Sequence, residues 1–130
     1  MRPLVLLLSF LLMPVFALAN EGEKAEAGGP QYVEIGPKLI VNLANAKQLM
    51  KISPQLMVEG AAVEQVKKNM PALKNALIML YSGRKAEDLA SAGQREALRK
   101  ETAEVIEKTL EKYGSSEGFK EVFFTDFRIN

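Results

Sequence analysis

The segment Phe119-Lys120-Glu121-Val122-Phe123-Phe124-Thr125-Asp126-Phe127-Arg128-Ile129-Asn130 decides the fold class of this chain. Its aromatic and β-branched residues are typical of a β-strand. Strict alternation gives a predicted core face of Phe123, Thr125, Phe127 and Ile129 and an opposite face of Val122, Phe124 and Asp126. Because this strand follows a helical part of the chain, with further strands before that part, the order of elements indicates an α+β fold.

The helical part begins with residues 61–81. Their apolar side chains recur at spacings of three and four, which indicates one helix face packed on a core. Pro71 either kinks this helix or starts a second segment, because its ring clashes with the carbonyl four residues back. Ser82-Gly83 is a helix stop, and Arg84–Ala90 forms a short helical turn.

A second long helix is predicted to begin near Ser91. This serine is an N-cap, and Gln94 three residues later completes a capping box. Glu96 and Lys100 have the spacing and order of a favourable ion pair on the exposed side. The helix is expected to end at Gly114.

Extended segments precede the helices. Tyr32–Ile35 and Lys38–Leu43 flank the turn dipeptide Gly36-Pro37, so they form either a β-hairpin or two successive strands. Gln48–Glu59 alternates loosely and contains Pro54, which donates no hydrogen bond, so this strand is at the sheet edge there, or bulged, or cut in two. The predicted architecture is α+β, with a small antiparallel or mixed sheet covered on one side by two main helices.

Residues 1–19 have the pattern of a membrane-targeting segment. Leu4–Met13 is a run of ten residues that is apolar except for Ser9, the length of a signal-peptide hydrophobic region. Pro14 breaks a helix, and Ala17-Leu18-Ala19 supplies the small residues that precede a cleavage site after Ala19. The alternative is a retained signal anchor, although the apolar stretch is slightly short of the roughly 17 to 25 residues that span a bilayer.

Two further units follow the targeting segment. Residues 20–30 are small, polar and rich in glycine, which favours a flexible linker. Residues 31–130 are predicted to form one domain outside the cytoplasm, with the length to bury its own core.

The amino-acid composition argues against several classes of catalytic and binding site. The chain has no cysteine, histidine or tryptophan, so it lacks a thiol nucleophile, a disulfide framework, the usual general base and the common metal ligands. Without Arg2, sixteen basic residues balance sixteen acidic ones, which argues against nucleic acid as a partner. We therefore predict no catalytic residues, no cofactor, no metal and no small-molecule substrate.

Two acidic sites, Asp126 and the pair Glu87-Asp88, are the catalytic candidates that the sequence offers. Asp126 lies between aromatic residues, where burial could raise its pKa, but a place on the solvent face of the strand is the simpler interpretation. Glu87-Asp88 is better explained as capping the start of a short helix, where acids interact favourably with the dipole.

Four sequence blocks resemble the FliL family of flagellar basal-body-associated proteins. Val122–Phe127 is similar to its terminal F/Y-F-T-D-F motif, and Asn69–Leu80 to its helix of the form H-M-P-x-I-R-D-A-I-L-x-L. Lys85–Leu89 is similar to K-T-A-E-D-L, and Val41–Leu43 to the V-N-L strand. The motif residues taken as candidates for partner interaction are Val41, Asn42, Leu43, Met70, Pro71, Ala86, Glu87, Asp88, Leu89, Phe124, Thr125, Asp126 and Phe127.

The resemblance implies a non-enzymatic protein at the periplasmic side of the inner membrane, in the basal body of a flagellum. It further implies a stomatin-like fold, self-association into rings, and association with the stator units that drive rotation in swimming or swarming. The chain departs from the family pattern at its short Met1-Arg2-Pro3 start and at Pro54, which fits a divergent paralogue. The alternative function is a periplasmic binding or chaperone-like module unrelated to motility, and an enzyme is a third, weaker reading.

Overall fold

The computed structural model describes residues 29–130. The predicted targeting segment, residues 1–19, and all but the last two residues of the predicted linker lie outside the described residues. The elements in chain order are β1 (Gln31–Glu34), β2 (Leu39–Asn42), β3 (Leu49–Val58), α1 (Ala62–Lys68), α2 (Met70–Tyr81), a 3-10 helix (Ala86–Leu89), α3 (Ala92–Lys112) and β4 (Phe119–Ile129). The predicted α+β class is confirmed, with an open antiparallel sheet of four strands.

The sheet is built around β3. Strand β4 pairs with it along one edge, whereas β1 and β2 pair end to end with the two halves of its other edge. The backbone N–H of Ile35 donates to the carbonyl of Pro54 at 2.9 Å, which extends the β1 pairing by one residue. The hairpin alternative for β1 and β2 is therefore wrong, and the alternative of two successive strands is correct. Residues 36–38 form a short loop between β1 and β2, which lie end to end along the same edge of β3.

Pro54 lies buried in the central strand. The strand is central and continuous there, so the alternatives of an edge position and of two separate strands are wrong; the register does shift beside Pro54, but the extra residue belongs to β4 and not to β3. The register passes from Ser53 opposite Asp126 to Pro54 opposite Phe124, so Thr125 has no partner on β3. The carbonyl of Pro54 faces Ile35, so the missing N–H of the proline falls on the β1 side of β3 and not on the side of the β4 bulge.

The bulge changes which residues of β4 face the core. Val122 is fully buried and Phe124 packs against the core, although strict alternation placed both on the opposite face. Phe123, predicted to be inside, is 37% exposed, and Thr125 is also exposed. The prediction was correct only beyond the bulge, for residues 127 and 129, because one inserted residue reverses the alternation.

The helices follow the local signals in the sequence. Pro71 lies in the first turn of α2, and α1 ends before it at Lys68, so the proline starts a second segment. The capping box of α3 is present, since the Gln94 N–H donates to Ser91 Oγ at 3.1 Å and the Ser91 N–H donates to Gln94 Oε1 at 3.0 Å. No helix among residues 29–130 is long and apolar enough to cross a bilayer.

One apolar core lies between the sheet and the helices. Helices α2 and α3 pack against each other, α2 also contacts β2, and α3 contacts β4. Each fully buried aliphatic side chain contributes on the order of 1.5 to 3 kcal/mol. The buried apolar residues include Leu39, Val41, Met50, Ile52, Leu56, Val58, Val66, Leu73, Leu77, Leu98, Ile106, Leu110 and Val122.

Candidate functional site

The motif Phe124–Phe127 spans the bulge in β4. Phe124 and Phe127 both face the helices, with ring centroids 5.8 Å apart. The ring of Tyr81, at the end of α2, meets Phe124 edge-on at 6.5 Å. The Thr125 hydroxyl donates to the carbonyl oxygen of Ser53 at 3.2 Å. The side chain of the inserted residue thus bonds β4 to β3 at the point where the regular ladder is interrupted.

Asp126 lies on the side of the sheet that no helix of residues 29–130 covers, called the uncovered face below. Its Oδ2 is 2.9 Å from Lys38 Nζ, and its Oδ1 is 3.1 Å from Arg128 Nε. The hydrogen bond from Lys38, followed by that from Arg128, holds the pKa of this carboxyl below its usual range. The suggestion that burial raises this pKa is wrong, and the solvent-face interpretation is correct. Because Lys38 belongs to the loop between β1 and β2, this ion pair crosses the central strand.

Arg95 joins two of the motifs. Its Nε donates to the carbonyl of Leu89 at 3.0 Å, and its guanidinium lies 4.2 Å from the ring centroid of Phe127. A cation at this distance from an aromatic face is attracted by the ring quadrupole. The end of the 3-10 helix is therefore fixed to the β4 motif through one side chain of α3.

The other motif residues of the 3-10 helix have separate positions. Leu89 is buried and Ala86 is partly buried against the core. Glu87 and Asp88 are exposed in the first turn, and this helix has no side-chain cap. Their expected position at the start of a short helix, where acids interact favourably with the dipole, is confirmed, although neither makes a side-chain capping hydrogen bond.

The motif Val41–Leu43 lies beside the end of α2. Its two aliphatic side chains are buried, and Asn42 is exposed. The carbonyl of Asn42 accepts a hydrogen bond from the Gly83 N–H at 2.9 Å, and the Ala44 N–H donates to the carbonyl of Arg84 at 2.8 Å. Gly83 has φ of 79°, a conformation that favours glycine at a helix end.

The pair Met70 and Pro71 belongs to a different part of the domain. Met70 packs against the core at the start of α2, and Pro71 is exposed. No hydrogen bond or ion pair found within residues 29–130 joins them to the other motifs. The structure thus brings together Leu89 and Phe127 but does not gather all the predicted residues into one site.

A groove of about 630 Å³ separates the first two turns of α3 from β4. Arg99 crosses it, with contacts of 2.6 Å to Glu96 and 3.4 Å to Glu121, and donates to the carbonyl of Val122 at 3.2 Å. The hydrogen bond from Arg99 lowers the pKa of Glu96. Glu96 therefore pairs with Arg99, whereas the sequence predicted Lys100. The groove is lined by Ala92, Arg95, Glu96, Arg99, Glu121, Phe123, Phe124 and Phe127.

Apolar side chains also lie on the uncovered face of the sheet. Tyr32 is 61% exposed, and its ring centroid is 6.3 Å from that of Phe123. Ile40, on β2, is 54% exposed. Such residues are suited to contact with another molecule. In contrast, the described part of the chain contains no group of three acidic, histidine or cysteine side chains that could hold a metal ion.

Sequence reasoning missed three basic residues of this region, Lys38, Arg95 and Arg99. Arg95 and Arg99 are four residues apart and therefore lie on the same side of α3. Their spacing with Ala92 was the available signal, although it also describes an ordinary solvated helix face. For Lys38, no sequence signal indicated that its partner would lie across the central strand.

A comparison with protein-family models matches residues 32–129 to FliL, described as flagellar basal body-associated protein FliL. The matched range runs from β1 into the end of β4 and includes every helix of the described structure. No curated protein matches the chain with significant similarity.

Proposed function

Because the chain belongs to the FliL family of flagellar basal body-associated proteins, we propose that it supports the stator units that drive flagellar rotation. The role is mechanical: the domain binds stator units and keeps them engaged during swimming or swarming. The observation that carries the proposal is the family match over residues 32–129, since it spans nearly all of the folded domain.

The surface of the domain is compatible with association. The uncovered sheet face presents Tyr32 and Phe123 side by side, with Ile40 on the same sheet. The near balance of basic and acidic residues limits repulsion between copies. We propose that copies of the domain assemble into rings in the basal body, and that contact with the stator involves residues of the four family motifs.

The proposed location is the periplasmic side of the inner membrane. Residues 1–19 would direct the domain out of the cytoplasm, either as a retained anchor or as a signal cleaved after Ala19. Residues 20–30 would then link the membrane to the domain. The mass of the mature protein distinguishes cleavage from retention directly.

Deletion of the gene with a motility assay tests the proposed function. We expect reduced swimming or swarming, restored by the wild-type gene, together with co-purification of stator proteins with a tagged copy. Unchanged motility in both assays and no recovered stator protein would refute the motor role. That outcome would favour the periplasmic binding or chaperone-like alternative.

A point-variant series connects the assay to the structure. Tyr32→Ser and Phe123→Ser reduce the exposed apolar surface of the uncovered sheet face, and Tyr113→Ser is a matched control because Tyr113 is 50% exposed at the end of α3, outside the four family motifs. If the sheet face mediates assembly, the first two variants should lower motility at wild-type protein levels while the control does not. Equal motility of all three would remove this face from the proposal.

A further inference from the structure

The outer edge of β4 carries backbone groups that no strand of the described structure pairs. Leu49 and Asn130 exchange two backbone hydrogen bonds, of 3.0 and 2.9 Å. Because paired and unpaired residues alternate in an antiparallel ladder, Phe127 and Ile129 direct their N–H and C=O groups away from β3. Strand β4 pairs only with β3 among the described strands, and the Val122 carbonyl on its outer edge accepts a hydrogen bond from Arg99, so the part of the edge open to a further strand is that of Phe127 and Ile129.

The groove beside α3 follows this open edge. Its lining includes Phe123, from the uncovered side of β4, and Phe124, from the side that faces the helices. Residues from both faces of a strand can line one groove only where the groove passes along the strand's edge. An extended segment placed there would hydrogen-bond to β4 and contact the first turns of α3.

The two arginines that line the groove differ in their ion pairs. Arg99 is bound by both carboxylates of the groove, those of Glu96 and Glu121. Arg95 makes no ion pair with any residue in the range 29–130, its Nε donates to Leu89, its guanidinium lies over the ring of Phe127, and the residue lines the groove. A carboxylate on an incoming segment would therefore find a cation without a competing acid.

We propose that the β4 edge binds an extended segment of a partner protein by strand addition, with an aspartate or glutamate of that segment paired to Arg95. Main-chain hydrogen bonds supply affinity in this mode, and side-chain contacts supply specificity. Binding at this edge does not depend on the role at the stator proposed above.

A second copy of the chain fits this edge less well. The carboxylates of its own β4 are occupied, Asp126 by Lys38 and Arg128, and Glu121 by Arg99. The opposite edge of the sheet is interrupted at residues 36–38, and its Asn42 carbonyl is already bonded. Charge and edge geometry thus favour a different chain as the occupant.

The test uses the purified full chain and a synthetic peptide. The probe is acetyl-Ser-Val-Thr-Val-Glu-Val-Thr-Ser-amide, and the matched peptide has glutamine in place of glutamate. We expect saturable shifts of the Phe127 and Ile129 amide signals in NMR spectra, and binding of the glutamine peptide weaker by about tenfold or more. Equal binding of the two peptides, or shifts elsewhere only, would overturn the proposal.

Two N-methylated forms of the probe test strand addition without any change in the protein. Each form blocks the N–H groups along one side of the extended peptide. One form should lose binding while the other keeps it, because a strand pairs through a single edge. Equal affinity of both forms would contradict strand addition.

Protein variants test the charged contact. Arg95→Gln should lower the affinity for the glutamate peptide by about tenfold or more and leave the affinity for the glutamine peptide nearly unchanged. Lys100→Gln is the control, because it removes the same charge from an exposed position of α3 outside the groove. Amide shifts at the β4 edge that depend on protein concentration and not on peptide would assign the edge to a second copy and overturn the proposal.

Discussion

The buried hydrogen bond between α2 and α3 gives a sharp prediction about stability. The hydroxyls of Tyr81 and Thr102 are 2.9 Å apart, and both residues are fully buried. Thr102 Oγ1 donates its single proton to the carbonyl of Leu98 at 2.8 Å, so Tyr81 is the donor to Thr102. Burial raises the pKa of Tyr81, which keeps its hydroxyl protonated and able to donate.

The two partners should not be equivalent when they are replaced. Tyr81→Phe removes a donor and leaves Thr102 bonded to Leu98, so we expect a loss of about 0.5 to 1.5 kcal/mol in the free energy of unfolding. Thr102→Val leaves the Tyr81 hydroxyl buried without an acceptor, and the expected loss is about 1 to 3 kcal/mol. The double variant removes the unpaired hydroxyl and should be no less stable than Thr102→Val.

Urea denaturation of the purified protein at pH 7, followed by circular dichroism, measures these differences. Thr109→Val is the matched control, because Thr109 Oγ1 makes the same type of bond to the carbonyl of Val105 at 2.7 Å. A loss for Thr102→Val no larger than that of the control would refute the predicted cost of the unpaired Tyr81 hydroxyl. Additive losses in the double variant would refute the coupling.

Three further predictions concern the surface and the turns. Because hydrogen bonds lower the pKa of Asp126, its ion pairs stabilise the fold above the ordinary aspartate pKa of about 3.9 and lose this effect as the pH falls. In thermal melts between pH 2 and 6, the Tm of Asp126→Asn should therefore fall less with decreasing pH than the Tm of the wild type. An identical dependence of Tm on pH in the two proteins would contradict this prediction. Gly118 has φ of 94°, and an added Cβ would lie 2.5 Å from the carbonyl oxygen of Glu59. Gly118→Ala should therefore lower the free energy of unfolding by more than about 1 kcal/mol in urea denaturation. The Cβ of Gly93→Ala meets no atom within 4 Å, so this control variant should raise the free energy of unfolding by about 0.4 to 1 kcal/mol. Ser91→Ala should lower the free energy of unfolding by about 1 kcal/mol through loss of the N-cap of α3, and Ser91→Thr, which keeps a capping hydroxyl, should restore most of it.

The sequence predicted best those features that depend on neighbouring residues. The capping box of Ser91 and Gln94, the helix start at Pro71 and the stop at Gly83 all occur as expected. Each involves residues within about one helical turn, where local backbone sterics and hydrogen bonds decide the outcome. The order of helices and strands, and hence the α+β class, followed from these signals.

Features that depend on distant pairing were predicted less well. The sequence on either side of residues 36–38 resembles a hairpin, yet β1 and β2 do not pair with each other. Each pairs with a different half of the longer strand β3. Pro54 indicated an irregular strand, and the register does shift beside it, but the extra residue is Thr125 on the neighbouring strand and not a residue of β3. No period within β4 alone could reveal it.

The candidate site was recovered only in part, for a related reason. The motif residues Leu89 and Phe127 were identified, but Arg95, which connects them, was not. A single arginine on an amphipathic helix is most often a solvated residue, and its sequence position gives no indication of a ring stacked beneath it. The contact depends on the packing of α3 across β4, which only the tertiary structure shows.

The bulge opposite Pro54 explains why the motif Phe124–Phe127 and the groove beside α3 occur together. In a regular strand, Phe124 and Phe127 would face opposite sides of the sheet, since they are three residues apart. The inserted Thr125 turns both rings towards the helices, where Phe127 lies under Arg95 and Phe124 meets Tyr81. The same insertion leaves Phe123 on the other side of β4, so aromatic side chains flank the open edge from both faces. One extra residue on β4, opposite the Ser53–Pro54 step, thereby determines the shape of the surface that we propose binds a partner.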